Sequence, residues 1–278
     1  MSPPNLSFQL QFLEHVIGIQ CEDSELAALL RTNFEGLLTC DQSNDVFYQI
    51  RGSGPGPFRL KRSDSNSEIA AAQTGDVIYE LEGNLVVWLQ LANPSYAFLH
   101  AAALIRNRSI HLLTGHSGAG KSTTAFGLTR FGFQLLTDEM VAIDPASRTL
   151  TAFKHAVCLK RHPPDGFELP PGTVTSTRGY HIPPSALNET NPEDGLPIKT
   201  IIFMEYDPTA EEPVLRACGA AEAVTRLYPN MLNALSHPEE GVEAAATVVR
   251  EMDSYLMKTA ELGASCELIT STVDKVRG

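Results

Sequence analysis

Leu6, Phe8, Leu10 and Phe12 alternate with polar residues, and the chain then stays largely apolar to Ile19. That pattern predicts one strand over 6–19, at the edge of a small sheet. Asp23 or Ser24 is placed to cap a short helix carrying Leu26, Leu29 and Leu30. Val46 to Ile50 and Phe58 to Leu60 read as strands joined by Gly52-Ser53-Gly54-Pro55-Gly56-Pro57. This loop holds glycines but no Gly-Lys-Ser, so it reads as a hairpin connection and not as a phosphate cradle. Val77, Ile78, Leu81, Leu85, Trp88 and Leu89 recur at helical spacing and predict a helix over 74–91, weakened but not broken by Gly83. Asn93-Pro94 ends it and sets the expected boundary between a small α+β region, 1–94, and a second domain, 95–278.

From Phe98 to Ile143 the pattern becomes strand, turn, strand, glycine loop, helix, strand, carboxylates. Leu99 to Ile105 and Ile110 to Thr114 flank Arg106-Asn107-Arg108-Ser109. A two-residue turn at Asn107-Arg108 pairs positions so that His100 falls opposite Gly115. Residues 162–197 are crowded with prolines, which excludes a long helix and predicts a binding loop or lid. Lys199 to Tyr206 reads as a buried strand. Ser236 or His237 is expected to cap a helix opened by Pro238, with Val242, Ala245, Val249, Met252 and Leu256 on one face.

Composition narrows the class. The chain has 278 residues, 43% apolar and 19% charged, enough for one large domain or two modest ones with a real core. Lys plus Arg number 21 against 33 for Asp plus Glu, a net charge of −12, which argues against nucleic acid as a partner. Cys21, Cys40, Cys158, Cys218 and Cys266 are too scattered for a zinc site and read as reduced thiols. No run approaches a membrane span, and Met1-Ser2-Pro3-Pro4-Asn5 lacks the features of an export signal, so a cytoplasmic protein is expected. Whether it forms a homo-oligomer stays open.

Gly115-His116-Ser117-Gly118-Ala119-Gly120-Lys121-Ser122 fills every position of the pattern GxxxxGK[ST], with an apolar strand before it and a helix-forming stretch from Ser122 and Thr123 after it. Glycines let successive backbone N–H groups converge on phosphate oxygens, and the helix start adds favourable dipole charge. In such a loop Lys121 neutralises the β- and γ-phosphates of ATP and the Ser122 hydroxyl ligates Mg²⁺. Phe133 to Thr137 reads as the next strand, expected to lie parallel beside the first and to deliver Asp138 and Glu139 to the same sheet edge. An acid there holds Mg²⁺ or takes a proton from an acceptor hydroxyl, and Asp138 is the stronger candidate for the base. His100, at the loop mouth, is placed to hydrogen-bond a phosphoryl oxygen or the acceptor. His111 is read as a packed strand residue, and His116 as shaping the loop.

His100-Ala-Ala-Ala-Leu, then Leu112 through Thr124, then Phe131-Gly-Phe-Gln-Leu-Leu-Thr-Asp-Glu139, resembles the catalytic domain of the HPr serine kinase/phosphorylase family and its relatives. The resemblance is specific over about residues 98 to 144. It implies an α/β fold related to phosphoenolpyruvate carboxykinase: a P-loop on a mixed sheet, here preceded by the small α+β region. It also implies Asp138 as the proton-handling acid, His100 as a phosphate or acceptor partner, and Lys121 with Ser122 as phosphate and Mg²⁺ ligands. Where that family carries two aspartates this chain has Asp138-Glu139. The family's downstream Glu-x-Arg-Gly segment is matched only by Arg178-Gly179 in Ser176-Thr177-Arg178-Gly179.

The expected activity is therefore Mg²⁺-dependent transfer of the γ-phosphoryl group of ATP to a serine-type hydroxyl. The acceptor is read as a peptide or protein segment, such as a ribosomally made precursor, with Arg178 holding either that segment or the transferring phosphate. The alternatives are a small-metabolite kinase acting on free serine or its like, and a non-catalytic ATP sensor.

Overall fold

The computed structural model describes residues 6–187, 195–207 and 209–275. In chain order they form β1 (Leu6–Phe12), β2 (His15–Cys21), α1 (Ser24–Asn33), β3 (Leu38–Thr39), β4 (Val46–Arg51), β5 (Phe58–Arg62), β6 (Glu68–Ala71) and α2 (Thr74–Ala92). Then come β7 (Ala97–Arg106), β8 (Ser109–Thr114), α3 (Lys121–Thr129), β9 (Gln134–Thr137), β10 (Met140–Ile143) and β11 (Leu150–Ala152). β12 (Val157–Leu159), β13 (Val174–Ser176), β14 (Gly179–Ile182), β15 (Ile198–Tyr206) and β16 (Val214–Ala217) come next. α4 (Ala220–Leu227), α5 (Val242–Val249), β17 (Asp253–Thr259) and α6 (Leu262–Val273) complete them.

The contacts divide the chain into two compact units within α2, between Trp88 and Leu89. The first takes residues 1–88 and two later segments, 154–162 and 170–186, and the second takes the rest. The expected division at 94/95 made each unit one continuous stretch. Here the first unit is discontinuous, because β12, β13 and β14 form a three-stranded antiparallel sheet that belongs to it.

The first unit is α+β, with a six-stranded sheet ordered β3-β1-β2-β4-β5-β6. The single strand expected over 6–19 is instead a hairpin, with Phe12 opposite His15 and Leu13 at φ 52° in the turn. Apolar residues on both arms blurred that turn, and β1 lies between β3 and β2 rather than at the edge. Asp23 caps α1 by accepting from the Leu26 N–H at 2.8 Å. The proline-rich stretch, expected to be irregular, contains an ordered hairpin over 174–182. Residues 188–194 of that stretch lie outside the described residues.

The second unit is built on a mixed sheet ordered β11-β10-β7-β8-β15-β17-β16, with β9 also paired to β7. β8, β15 and β17 run parallel, whereas β7 is antiparallel to β8, β9 and β10. Ala97, Leu99, Ala101 and Ala103 of β7 share a buried core with Ala223 and Leu227 of α4 and Ala245, Val248 and Val249 of α5. The alternate residues Phe98, Ala102 and Leu104 are buried as well. A strand covered on both faces reads as a continuous apolar run, which is what β7 shows. α3 packs along β7, β8 and β9, and α6 closes on α3 where Gly127 faces Cys266.

The helix expected from Pro238 to Leu256 breaks into three pieces: a 3-10 turn at Pro238–Gly241, α5, and then β17. Leu256 keeps helical spacing with Val249, yet it sits on a central strand between β15 and β16. Tertiary pairing here overrides a local period, as it can for any short apolar run.

Candidate functional site

The β7–β8 hairpin places the first candidate residues. Its two-residue turn has positive φ at both central positions, 51° at Asn107 and 57° at Arg108, the geometry that matches the strand twist. Arg106 pairs with Ser109 and Ala101 with Thr114, so the register is the one counted from the sequence, and the next pair in it is His100 with Gly115. The Thr114 hydroxyl donates to the His100 carbonyl at 3.1 Å and closes the end of the ladder.

Residues 115–120 then join β8 to α3. Gly115 adopts φ 151°, and a Cβ there would sit 2.5 Å from the Met204 carbonyl oxygen, so only glycine lets the loop begin this close to β15. Gly120, at φ 88°, is the residue before α3, and its carbonyl accepts from the Thr124 N–H at 2.8 Å. His116, Ser117 and Gly118 are exposed while Ala119 is buried, so the loop is anchored at its base and open at its crest. His116 folds back through Nδ1 onto the Ser117 carbonyl at 2.8 Å.

Lys121 is buried, and its Nζ donates to the carbonyls of Gly115 at 2.7 Å and His116 at 3.3 Å. An ammonium drawn back across a glycine loop lies where a charged oxygen bound by that loop would meet it. Ser122 and Thr123, in the first turn of α3, are half-buried.

The acids arrive by a different route from the one expected. β9 is not the parallel neighbour of β8: β7 lies between them, antiparallel to both. β8 and β9 therefore still point the same way, two strands apart. β9 and β10 succeed one another along the same edge of β7, with a register shift between the pairs Leu104–Leu135 and Ala103–Thr137. An extra residue of this kind re-aims the side chains beyond it. Those side chains are Asp138 and Glu139. The Ala101 N–H donates to the Glu139 carbonyl at 3.2 Å, and Ala101 pairs with Thr114 on its other side, so acids and loop start lie level across three strands.

Asp138 is buried, while the half-exposed Glu139 brings Oε2 to 3.6 Å from His100 Nε2. Thr137 is fixed beneath them by donation to the Phe153 carbonyl at 2.7 Å. Lys121, Ser122, His100, Asp138 and Glu139 thus all belong to one compact unit. His111 is a packed residue, buried against Phe133, and burial pushes its pKa down to about 4.

Among the described residues no group of three or more His, Cys, Asp or Glu side chains is arranged to hold a metal ion. Ser122, Asp138 and Glu139 are the residues here that could hold Mg²⁺: all offer oxygen donors, and that ion takes one or two of them and fills its shell with phosphate oxygens and water.

Arg178 belongs to the other unit. Its Nε and Nη2 both reach Asp76 Oδ1 at 2.8 Å, and its guanidinium lies 4.6 Å from the Tyr79 ring centroid. The sequence reading missed the part of β15 beside the loop. Phe203 pairs with Thr114, so Met204, Glu205 and Tyr206 continue past the start of the glycine loop. Only the parallel pairing reveals this, since Lys199 to Tyr206 reads simply as a buried strand.

Fold and site together define a mixed α/β protein with a glycine-rich loop set between a parallel strand and a helix. No family model and no curated protein matches the sequence. The structure is similar to that of the HPr(Ser) kinase/phosphatase from Coxiella burnetii, at 14% identity and a TM-score of 0.34, over 64% of this chain and 94% of that one. A likeness at that level assigns neither family nor activity. No helix among the described residues is long and apolar enough to cross a membrane.

Proposed function

We propose that this chain is an ATP- and Mg²⁺-dependent kinase that transfers the γ-phosphoryl group to a serine-type hydroxyl on a peptide or protein. One observation carries the reading: Gly115–Ser122 joins a parallel strand to a helix with Lys121 drawn across it, level with His100 and Glu139. The loop amides and Lys121 would bind the phosphate oxygens, with Lys121 leaving the carbonyls of Gly115 and His116 to do so. Ser122 with Asp138 or Glu139 would hold Mg²⁺, which when bound offsets charge on the β- and γ-phosphate oxygens. Asp138 would accept the proton of the acceptor hydroxyl, and His100, steadied by Glu139, would hydrogen-bond the transferring group or the acceptor.

The preference for a peptide rests on the proline-rich sequence of 162–197, prolines favouring extended backbone, and on Arg178, which would have to exchange Asp76 for the acceptor or its phosphate. The cytoplasmic reading is supported by the scattered cysteines and the sequence of the first residues, and the reading against nucleic acid by the net charge of −12.

The test is an acceptor screen with γ-labelled Mg-ATP, offering free serine and serine-containing peptides in parallel. Label on a peptide, lost in Lys121→Ala, is the expected result. Label on free serine far above any peptide would move the assignment to a metabolite kinase. Slow ADP formation with no labelled acceptor would favour a sensor.

A further inference from the structure

The glycine loop has two flanks in the sheet. On one lie β7 and the β9–β10 edge, with His100, Asp138 and Glu139. On the other lie the carboxyl ends of the parallel strands β15 and β17. If the reacting end of a phosphate chain faces the acids, its other end leaves toward β15 and β17. Carboxyl ends of parallel strands are where α/β sheets receive nucleotides.

β15 is built differently at that end. Ile201 and Phe203 point into the core under α4 and α5. Alternation puts Ile202, Met204 and Tyr206 on the opposite face, and the first two are buried. Tyr206, two residues past the Met204 carbonyl that abuts Gly115, is 53% exposed. It lies about 7 Å further along the strand than Met204. The chain is pinned on either side of it. The Thr259 hydroxyl donates to the Glu205 carbonyl at 3.4 Å, and Asp207 Oδ1 accepts from the Thr209 hydroxyl at 2.7 Å and N–H at 3.0 Å. Lys258 Nζ lies 3.7 Å from Asp207 Oδ2. A large ring is thus presented to solvent from a fixed backbone beside the loop.

We infer that Tyr206, at the carboxyl end of β15, is the stacking platform for the nucleobase of the bound nucleotide. This rests on the reading of Gly115–Ser122 as a phosphate loop, and it adds the subsite that makes a nucleoside triphosphate a better ligand than a bare phosphate chain. Stacking on an aromatic ring is tolerant of base identity, so the platform supplies affinity for a base rather than choice among bases.

Calorimetric titration with Mg-ATP and, separately, with Mg-tripolyphosphate tests it on the full chain. Tyr206→Ala should weaken ATP by about ten-fold and leave tripolyphosphate unchanged, while Tyr206→Phe and Tyr206→Trp keep wild-type affinity for both. ATP bound equally well by wild type and Tyr206→Ala would overturn the inference, as would an equal loss for both ligands. The phosphate-loop reading fails separately, if Lys121→Ala binds tripolyphosphate as wild type does or if wild type binds neither ligand.

Discussion

Two loops in this chain use glycine in the same way and sit in opposite chemical surroundings. Gly52, Gly54 and Gly56 adopt φ of 118°, 66° and 109°, and Gly115, Gly118 and Gly120 adopt 151°, 86° and 88°. In the first loop the exposed amides meet the protein's own acids. The Gly54 N–H donates to Asp23 Oδ2 at 2.9 Å and the Gly52 N–H to Glu22 Oε2 at 3.2 Å. That loop continues into β5 and closes a hairpin. The second continues into a helix, carries a lysine in place of carboxylates, and has its acids on the strand pair β9–β10, with β7 between them and β8. Glycine makes a backbone able to hold an anion. In the first loop that anion is the protein's own, Asp23 and Glu22.

The largest expected contrast between the loops comes from adding one methyl group to each. Gly115→Ala places Cβ 2.5 Å from the Met204 carbonyl oxygen, so the loop must shift away from β15. Loss of all Mg-ATP-dependent thermal stabilisation is expected, together with a lower melting temperature. Gly54→Ala meets no atom within 4 Å and carries only the cost of a left-handed conformation, about 1–2 kcal/mol. Its ATP-dependent shift should match wild type. A Gly115→Ala protein still stabilised by Mg-ATP would remove the distinction.

The acids supply the next contrast. Asp138→Asn is nearly isosteric, but the amide neither takes a proton nor ligates Mg²⁺ comparably. Transfer should fall by about 10²-fold or more while nucleotide affinity changes little. His100→Ala should also depress transfer more than ATP affinity, and by less than Asp138→Asn. Single-turnover rates read beside equilibrium binding check both. Full turnover in Asp138→Asn would pass the role to Glu139, whose carboxylate is the one near His100.

Local chemistry explains which parts of this arrangement the sequence discloses. Asn107-Arg108 dictates a two-residue turn, and that turn dictates the β7–β8 register, so the level of His100 and Gly115 comes out of counting. The glycine loop is legible because each of its positions has a steric or charge requirement. Asp138 and Glu139 are visible as candidates, but the insertion of β7 between β8 and β9 is not. Strand order depends on which edges pair, and a parallel or antiparallel neighbour leaves the same apolar pattern in the partner. The Leu13-Glu14 turn and the break between α5 and β17 are hidden for a related reason: apolar residues resume on the far side of each at a spacing that fits one continuous element, and no glycine or proline marks the spot. Tyr206 is invisible as a site residue until β15 is set beside β8.

The smallest predicted effect separates the internal anion from the foreign one. Asp23 accepts from Leu26 N–H at the start of α1 and from Gly54 N–H in the first loop, and these two bonds hold its carboxyl below the usual carboxylate range. A carboxyl whose folded pKa is depressed stabilises the fold at pH above its unfolded value, near 3.8, and that contribution is lost as pH falls through the folded value. Asp23→Ala should therefore cost about 1 kcal/mol at neutral pH, the usual loss for a helix cap. The gap between mutant and wild type should narrow on acidification below about pH 4. Asp23→Asn keeps a capping oxygen without the charge, so it should recover most of the stability and flatten that part of the pH dependence. Denaturant unfolding of the three proteins from pH 3 to 7 reads these differences directly, and Mg-ATP affinity should be the same in all of them. A weakened nucleotide affinity in Asp23→Ala would mean that the hairpin loop also contributes to the binding attributed to the loop before α3.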